Sequence, residues 1–321
     1  MFSGMISLID REEEMREAAM AAPGRFRARF FCINDDVPEE TARVLREACE
    51  ARGVEYHEID ARRFDYAPAR RLAAGDLLYR PATSVAAMRA EQFLLDRGVA
   101  TFYAEEDGAF FDCTNSTLRF ERAGLPIPPT VYCSTTDRAT LRAYVERLGG
   151  FPVVIKAPGG EGGVGVMRAD SFPALFSIVD YAVSLGAHPL LCAYLANAVH
   201  WRLVVIGDRV AASYRNITAA EDFRTFAGED LEDYRAPIAP EMAEIAVGAV
   251  RALRYEFGGV DLLQTPDGRN WLLEANFPCY FPQAQLVAGI DLSGMMIDHL
   301  LAKAERLAAR EARGDERERA A

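Results

Sequence analysis

The chain has 321 residues, half of them apolar, and a formal net charge of −12. It is long enough for two or three compact subdomains, and its negative charge disfavours nucleic acids and anionic membranes, which bind clustered Lys and Arg. With no apolar run near the roughly 20 residues of a spanning helix and no secretory cleavage pattern at the N-terminus, the expected location is cytoplasmic.

Two residue types are used in an informative way. The six cysteines are scattered without a CxxC pair, which favours buried free thiols over a disulfide framework or a zinc site. Arg supplies nearly every cation, and the chain has two lysines, Lys156 and Lys303. Lys303 falls in a charged C-terminal helix pattern, so Lys156 is the lysine that stands out.

Residues 25–112 alternate strand and helix patterns, after a peripheral tail over residues 1–24. Apolar runs predict strands and helical spacing predicts helices: strands at 26–35, 54–59, 76–80 and 99–103, and helices at 38–52 and 84–97. This alternation is typical of a small parallel α/β layer, so we predict an N-terminal α/β domain that closes near residue 112.

Residues 113–189 form a second predicted unit, with a glycine-rich turn at its centre. The elements that we expect are helices at 114–124, 137–148 and 171–185 and strands at 151–157 and 163–168. The proline-rich segment 125–130 cannot continue the first of these helices.

Residues 190–305 form the third predicted unit, before a charged tail over residues 306–321. We expect a strand at 190–195, a hairpin at 200–215 that folds at Gly207-Asp208, a polar irregular stretch at 217–238, a helix at 240–256, a hairpin at 258–276 and a helix from 291.

The segment IKAPGGEGGVGV (155–166) places Lys156 at a strand end, directly before five glycines. Glycine has no side chain to hold an anion away, so such a loop can bring backbone N–H groups close to phosphate oxygens. The spacing matches neither a P-loop nor a Rossmann fingerprint, and a strand-loop-strand lid fits better. A flexible hairpin turn without a ligand is the alternative.

The hairpin at 258–276 carries three oxygen-bearing side chains, Asp261, Glu274 and Asn276. If the turn takes Thr265 to Gly268, Gln264 faces Arg269, and strand parity puts the three side chains on one face. Carboxylate and carbonyl oxygens suit magnesium that also binds phosphate oxygens. A one-residue slip in register would move Asp261 to the other face and leave a solvated sheet face instead.

In this order, the strand with its lysine, the glycine loop, a strand pair ending in Arg, and VDLL…WLLEAN resemble the ATP-grasp superfamily, nearest to its RimK-like carboxylate–amine ligases. The resemblance covers roughly residues 113–303. It implies an ATP-grasp fold of the α/β class, α+β in its ATP-binding part, after an N-terminal Rossmann-like domain. The central lid subdomain would be residues 113–189, and the subdomain with the magnesium site would be residues 190–305.

The resemblance also implies roles for individual residues. Lys156 would contact the nucleotide phosphates, and the loop from Gly160 to Gly165 would close over them. That loop contains Glu161, Gly162 and Gly163. Magnesium would be held by Asp261, Glu274 and Asn276.

Two arginines match family positions that face the substrate and the transferred phosphoryl group. These are Arg202 and Arg215, which strand parity across a two-residue turn would place on one face. Exposed strand charges on a hairpin are the alternative reading. The chain departs from the family where a second lysine is usual, since CTNSTLRF has none, and Cys192-Ala193 stands where an acidic pair is typical.

The implied reaction uses ATP and magnesium to join a carboxylate to an amine through an acyl phosphate. The expected substrates are small molecules or peptides, and a homo-oligomer is compatible with the sequence. One alternative is a phosphotransferase on the same fold, which forms no amide. The other is a degenerate relative that binds a partner without catalysis, against which the joint presence of Lys156, Asp261, Glu274 and Asn276 argues.

Overall fold

The computed structural model describes residues 28–66, 72–111, 115–158, 162–218 and 222–319, with the side chains of 311–319 left aside. Within these residues the strands form three sheets, of three, four and five strands. The described part of the chain contains no helix that is long and apolar enough to cross a membrane.

The first sheet is parallel, with strand order β2-β1-β3. Its elements are β1 (Arg29–Asn34), α1 (Glu39–Ala51), β2 (Glu55–Asp60), β3 (Leu77–Tyr79) and α2 (Val85–Leu94). This confirms the predicted parallel α/β layer. The predicted strand at 99–103 is wrong: Ala100 forms a single bridge to Leu77, and Tyr103 instead bridges Tyr255 from another part of the chain.

The second sheet is antiparallel, with strand order β4-β7-β5-β6. Its elements are α3 (Ser116–Arg122), β4 (Thr130–Tyr132), α4 (Arg138–Arg147), β5 (Val153–Lys156), β6 (Val166–Ala169), α5 (Phe172–Ser184) and β7 (Leu190–Ala193). Strand β6 begins three residues later than predicted, because Gly162, Gly163 and Gly165 take positive φ angles that belong to turns and not to strands.

The third sheet is antiparallel, with strand order β10-β9-β8-β11-β12. Its elements and the helices around it are β8 (Val199–Ile206), β9 (Arg209–Thr218), β10 (Thr225–Ala227), α6 (Leu231–Arg235), α7 (Pro240–Ala252), β11 (Phe257–Gln264), β12 (Asn270–Asn276), α8 (Pro282–Ala288) and α9 (Leu292–Arg319). The stretch expected to be irregular therefore contains β10 and α6. Both elements are short, and pairing with β9 stabilises β10.

Strand β8 shows how this sheet positions its two faces. Trp201, Leu203 and Val205 point into a core shared with α7, whereas Val204 and Ile206 point into a second core shared with α9 and the N-terminal sheet. Because side chains alternate along a strand, the positions before Val204 on this second face are Arg202 and His200. The face that packs against the first sheet therefore continues into the polar site described next.

Candidate functional site

A cavity of about 1610 Å³ is lined by residues of both the second and the third sheet. From the second sheet, its wall includes Lys156 at the end of β5, and Gly162 and Gly163 of the loop that follows. From the third sheet it includes Asp261, Glu274 and Asn276. The two sequence motifs, far apart along the chain, thus line one cavity.

The strand pairing that creates the acidic wall differs from the predicted register. Gln264 pairs with Asn270 and not with Arg269, so the turn is one residue longer than expected. A bulge then follows, because Leu262 pairs with Leu272 while Asp261 pairs with Glu274, which leaves Leu273 as the extra residue. The longer turn and the bulge each shift the pairing by one residue, so together they leave the alternation of the side chains unchanged. Asp261, Glu274 and Asn276 lie on one face, as the sequence predicts, by a different route.

Asp261 is almost fully buried and is held by two basic side chains. The Nη1 atom of Arg202 donates to Oδ2 of Asp261 at 2.6 Å, and Nε2 of His200 lies 3.2 Å from Oδ1. Burial by itself raises the pKa of Asp261, but the charge of Arg202 and the contact with His200 outweigh it and hold the pKa well below its usual range. Asp261 is therefore a carboxylate at neutral pH.

Glu274 has the opposite shift. Burial and then the neighbouring negative charge of Asp261 raise the pKa of Glu274, and the amide of Asn276 and the charge of Lys156 only partly offset the rise. Two carboxyl groups on one face repel when both are ionised, so a bound cation would stabilise the site.

The donor set fits magnesium. Nδ2 of Asn276 donates to Oε1 of Glu274 at 2.8 Å, which ties the amide to the carboxyl beside it. Within the described ranges, no group of three or more His, Cys, Asp or Glu side chains is placed to hold a metal alone. Two carboxyl groups and one amide need further oxygen ligands, and nucleotide phosphates and water supply such ligands in magnesium sites.

The described part of the glycine loop is a turn, where a strand was predicted from residue 163. Gly162, Gly163 and Gly165 have φ angles of 59°, 83° and 80°. A Cβ atom on Gly165 would come within 3.2 Å of the carbonyl oxygen of Ala157. Gly160 and Glu161 lie outside the described residues.

The predicted arrangement of the two arginines is wrong. A register shift between Val204 and Val205 pairs Arg202 with Tyr214 and places Arg215 opposite Trp201. Arg215 therefore lies on the other face of β9, where its Nη2 atom contacts Oδ1 of Asp233 at 2.9 Å. Arg202 lines the cavity, and Arg215 is not among the residues of its wall.

Arg202 lies across a strand position that has no side chain. A Cβ atom on Gly259 would come within 2.9 Å of both Cζ and Nε of Arg202 and of Cβ of Cys279. Burial raises the pKa of the Cys279 thiol to about 12, so this cysteine is an uncharged packing residue. Cys279 and the other described cysteines, Cys32, Cys49, Cys133 and Cys192, are buried free thiols, as predicted.

His200 and Arg224 are residues of the cavity wall to which the sequence assigned no individual role. His200 precedes Arg202 by two positions on a strand, so parity alone could have placed it on the same face. Arg224 lies just before β10, in the stretch expected to be irregular, and its Nη1 atom donates to the carbonyl oxygen of Gly163 at 3.2 Å. No local signal marks that contact, because the two residues are 61 positions apart.

Comparison with known structures shows the fold. The ATP-grasp ligase PsnB, solved with a precursor variant, Mg and ADP, superposes with a TM-score of 0.65 at 18% identity, over 87% of this chain and 99% of that one. The D-cycloserine synthetase DcsG gives a TM-score of 0.65 at 16% identity over 87% and 99%. The macrocyclase MdnC from Microcystis aeruginosa MRC, bound to its precursor peptide MdnA, gives 0.64 at 13% over 85% and 99%. The fold is thus that of ATP-grasp ligases.

Comparison of sequences shows the family. The model of the RimK-like ATP-grasp domain matches residues 115–300, and the chain therefore belongs to the RimK-like ATP-grasp family. The ribosomal protein bS6–L-glutamate ligase of Escherichia coli (strain K12 / DH10B) is 30% identical over 188 residues. That match covers 58% of this chain and 62% of the relative, so less than two thirds of the curated relative is spanned.

Proposed function

We propose that this protein is an ATP- and magnesium-dependent ligase that activates a carboxylate by phosphorylation and joins it to an amine. The observation that carries the proposal is the direct pairing of Asp261 with Glu274, beside Asn276, in a cavity whose other wall holds Lys156 and the glycine loop. Asp261 is buried and Glu274 is exposed to the cavity, and carboxyl groups that face each other repel unless a cation offsets their charge.

The reaction needs position and charge more than a covalent nucleophile. The substrate carboxylate oxygen attacks the γ-phosphorus of ATP, and the bond to the β-phosphate oxygen breaks to release ADP. The amine nitrogen then attacks the acyl carbon, inorganic phosphate leaves, and the nitrogen loses a proton. When bound, magnesium neutralises charge on the phosphate oxygens.

Different residues would bind the metal, contact the phosphates and exclude water. Asp261, Glu274 and Asn276 would hold the metal, and the Lys156 ammonium would contact the phosphates from the opposite sheet. Gly162, Gly163 and Gly165 would belong to the lid that keeps water from the acyl phosphate.

Two guanidinium groups lie in the cavity wall, and each pairs with a carboxylate, Arg202 with Asp261 and Arg224 with Asp222. Arg202 would balance a substrate carboxylate or the transferred phosphoryl group from its place beside Asp261. Arg224, on the carbonyl of Gly163, would add a second cation next to the lid. A role for Arg215 at the phosphoryl group requires its guanidinium to leave Asp233.

The proposed substrates are an amino acid or a peptide as carboxylate and an amino compound as acceptor. The names of the relatives support this choice, since one is a ligase of L-glutamate to a ribosomal protein and others were solved with precursor peptides. The size of the cavity, about 1610 Å³, leaves room for a substrate beside a nucleotide.

Calorimetry with a non-hydrolysable ATP analogue tests the proposal, with and without magnesium, on the natural protein and on the Asp261→Ala, Glu274→Ala double variant. Magnesium-dependent binding that the double variant loses supports the metal site. Carboxylates and amines are then screened for ADP release, and mass spectrometry looks for the amide. ADP release without an amide would point to a phosphotransferase, and absence of nucleotide binding would reject the enzymatic proposal.

A further inference from the structure

His200 lies beside the proposed metal site without being one of its proposed ligands. Its side chain is 13% exposed, and its Nε2 atom lies 3.2 Å from Oδ1 of Asp261. This nitrogen is buried, and within the described residues it forms no hydrogen bond. The other oxygen of Asp261, Oδ2, accepts from Arg202. Each oxygen of this carboxylate therefore faces one basic side chain.

The far side of the His200 ring is held by two further residues. Its Nδ1 atom makes a short contact with Oγ1 of Thr225 on β10, and Nδ2 of Asn216 on β9 lies 3.3 Å from the same ring nitrogen. Thr225 pairs with Thr218 in the β10–β9 ladder, so β10 carries the hydroxyl to this position. Three strands thus determine the position and rotation of one imidazole.

These contacts define which ring nitrogen carries the proton. The ionised carboxylate of Asp261 can only accept hydrogen bonds, so the Nε2 atom that faces it is the protonated one. The Nδ1 atom, with its single lone pair, then accepts from the Asn216 amide nitrogen, which can only donate, or from the Thr225 hydroxyl, which can donate or accept.

We propose that His200 is a positioning residue that orients the Asp261 carboxylate for magnesium through its Nε2–H, with Asn216 and Thr225 holding the unprotonated Nδ1. Side chains that hold a ligand in place from behind typically change metal affinity ten- to a hundredfold when removed. The inference rests on the proposed function, because it assigns a role toward the same metal. His200 itself is not one of the three proposed magnesium ligands.

A pair of substitutions separates positioning from mere packing. In His200→Gln the amide nitrogen reaches the place of Nε2 and can still donate to Asp261, whereas in His200→Asn it reaches only the place of Nδ1. Thr225→Val keeps the shape of the threonine and removes its hydroxyl. Thermal unfolding confirms that each variant is folded before it is compared.

Binding of Mn²⁺ is measured by electron paramagnetic resonance at a saturating concentration of the non-hydrolysable ATP analogue. We expect His200→Asn to weaken Mn²⁺ binding about tenfold, Thr225→Val to weaken it less, and His200→Gln to remain within about threefold of the natural protein. Equal affinity in the Gln and Asn variants, whether unchanged or equally weakened, would overturn the positioning role. Absence of Mn²⁺ binding to the natural protein would overturn the metal site itself.

Discussion

Asp261 stands directly opposite Glu274 in the pairing of β11 with β12, although the register of the turn would set it opposite Leu273. The bulge at Leu273 moves every later residue of β12 by one position and returns Glu274 and Asn276 to the face of Asp261. The proposed metal site thus depends on an irregularity in the strand. A regular hairpin with the same turn would point Glu274 away from the cavity.

The opposed carboxyl groups predict that Glu274→Gln stabilises the protein in the absence of magnesium. The pKa of Glu274 is raised in the folded state, so folding favours its protonated form and stability falls as the pH rises above the unfolded value near 4.5. The neutral amide removes that loss. We expect a higher melting temperature at pH 7, together with loss of the shift that magnesium and nucleotide produce.

Differential scanning fluorimetry at pH 5 and pH 8 measures both effects of this change. The gain should be larger at pH 8, where Glu274 would otherwise be ionised. A variant that is less stable than the natural protein at both pH values would contradict the repulsion argument.

Gly259→Ala is predicted to damage the site through Arg202. The new methyl group would come within 2.9 Å of the guanidinium and of Cys279, so either Arg202 or the strand must shift. We expect a cost of about 1–3 kcal/mol and weaker magnesium-dependent nucleotide binding. Gly268→Ala in the turn is the control. Its φ of 84° disfavours any side chain, but no atom lies within 4 Å of where the new Cβ would be. The control should lose stability and keep the binding.

The two lysines should differ in reactivity toward an amine-specific acylating reagent. Lys303 is buried, and its Nζ atom donates to the carbonyl oxygen of Thr101 at 3.0 Å and to Glu256 at 2.9 Å. Lys156 lines the open cavity. Peptide mapping of the folded protein should find the label on Lys156 and not on Lys303. The ATP analogue with magnesium should protect Lys156, and equal labelling with and without it would contradict a phosphate contact.

Glu256 is predicted to contribute stability that depends on pH. Burial alone would raise its pKa, but the hydrogen bond with His299 and the charge of Lys303 lower it below its usual value. A lowered carboxyl pKa adds stability above the unfolded pKa and loses it as the pH falls through the folded one. Glu256→Gln should therefore cost on the order of 1–2 kcal/mol at pH 7.

That difference between Glu256→Gln and the natural protein should shrink as the pH falls below about 4.5. Urea unfolding at pH 7, 5 and 3.5 tests the trend. A difference that stays constant over this range would assign the effect to packing alone.

Arg202→Ala and Arg215→Ala should separate the two arginines that the sequence treats alike. Removing Arg202 leaves the buried Asp261 without its closest cation, which costs about 3–5 kcal/mol in comparable buried pairs. Arg215 and Asp233 are partly exposed, at 40% and 17% of their side chains, so their pair is worth about 1 kcal/mol or less. Calorimetry should find nucleotide binding weakened by Arg202→Ala and little changed by Arg215→Ala. A large loss of binding in Arg215→Ala would show that its guanidinium turns into the cavity.

Local pattern was sufficient for most elements of this fold. Apolar runs, helical spacing and glycines predict the parallel first sheet, the two hairpins of the third sheet and the lysine-glycine segment between β5 and β6. These features follow from backbone preferences and side-chain alternation within a few residues. The same reasoning placed Asp261, Glu274 and Asn276 on one face.

Tertiary structure decided the register and the partners. The bulges in β9 and β12 each shift a strand by one residue, which reverses the face of Arg215 and restores the face of Glu274. A bulge is stabilised by packing against elements distant in sequence, so a local pattern of apolar and polar residues does not encode it. For the same reason the contacts of His200 with Asp261 and of Arg224 with Gly163 emerge only when the sheets assemble.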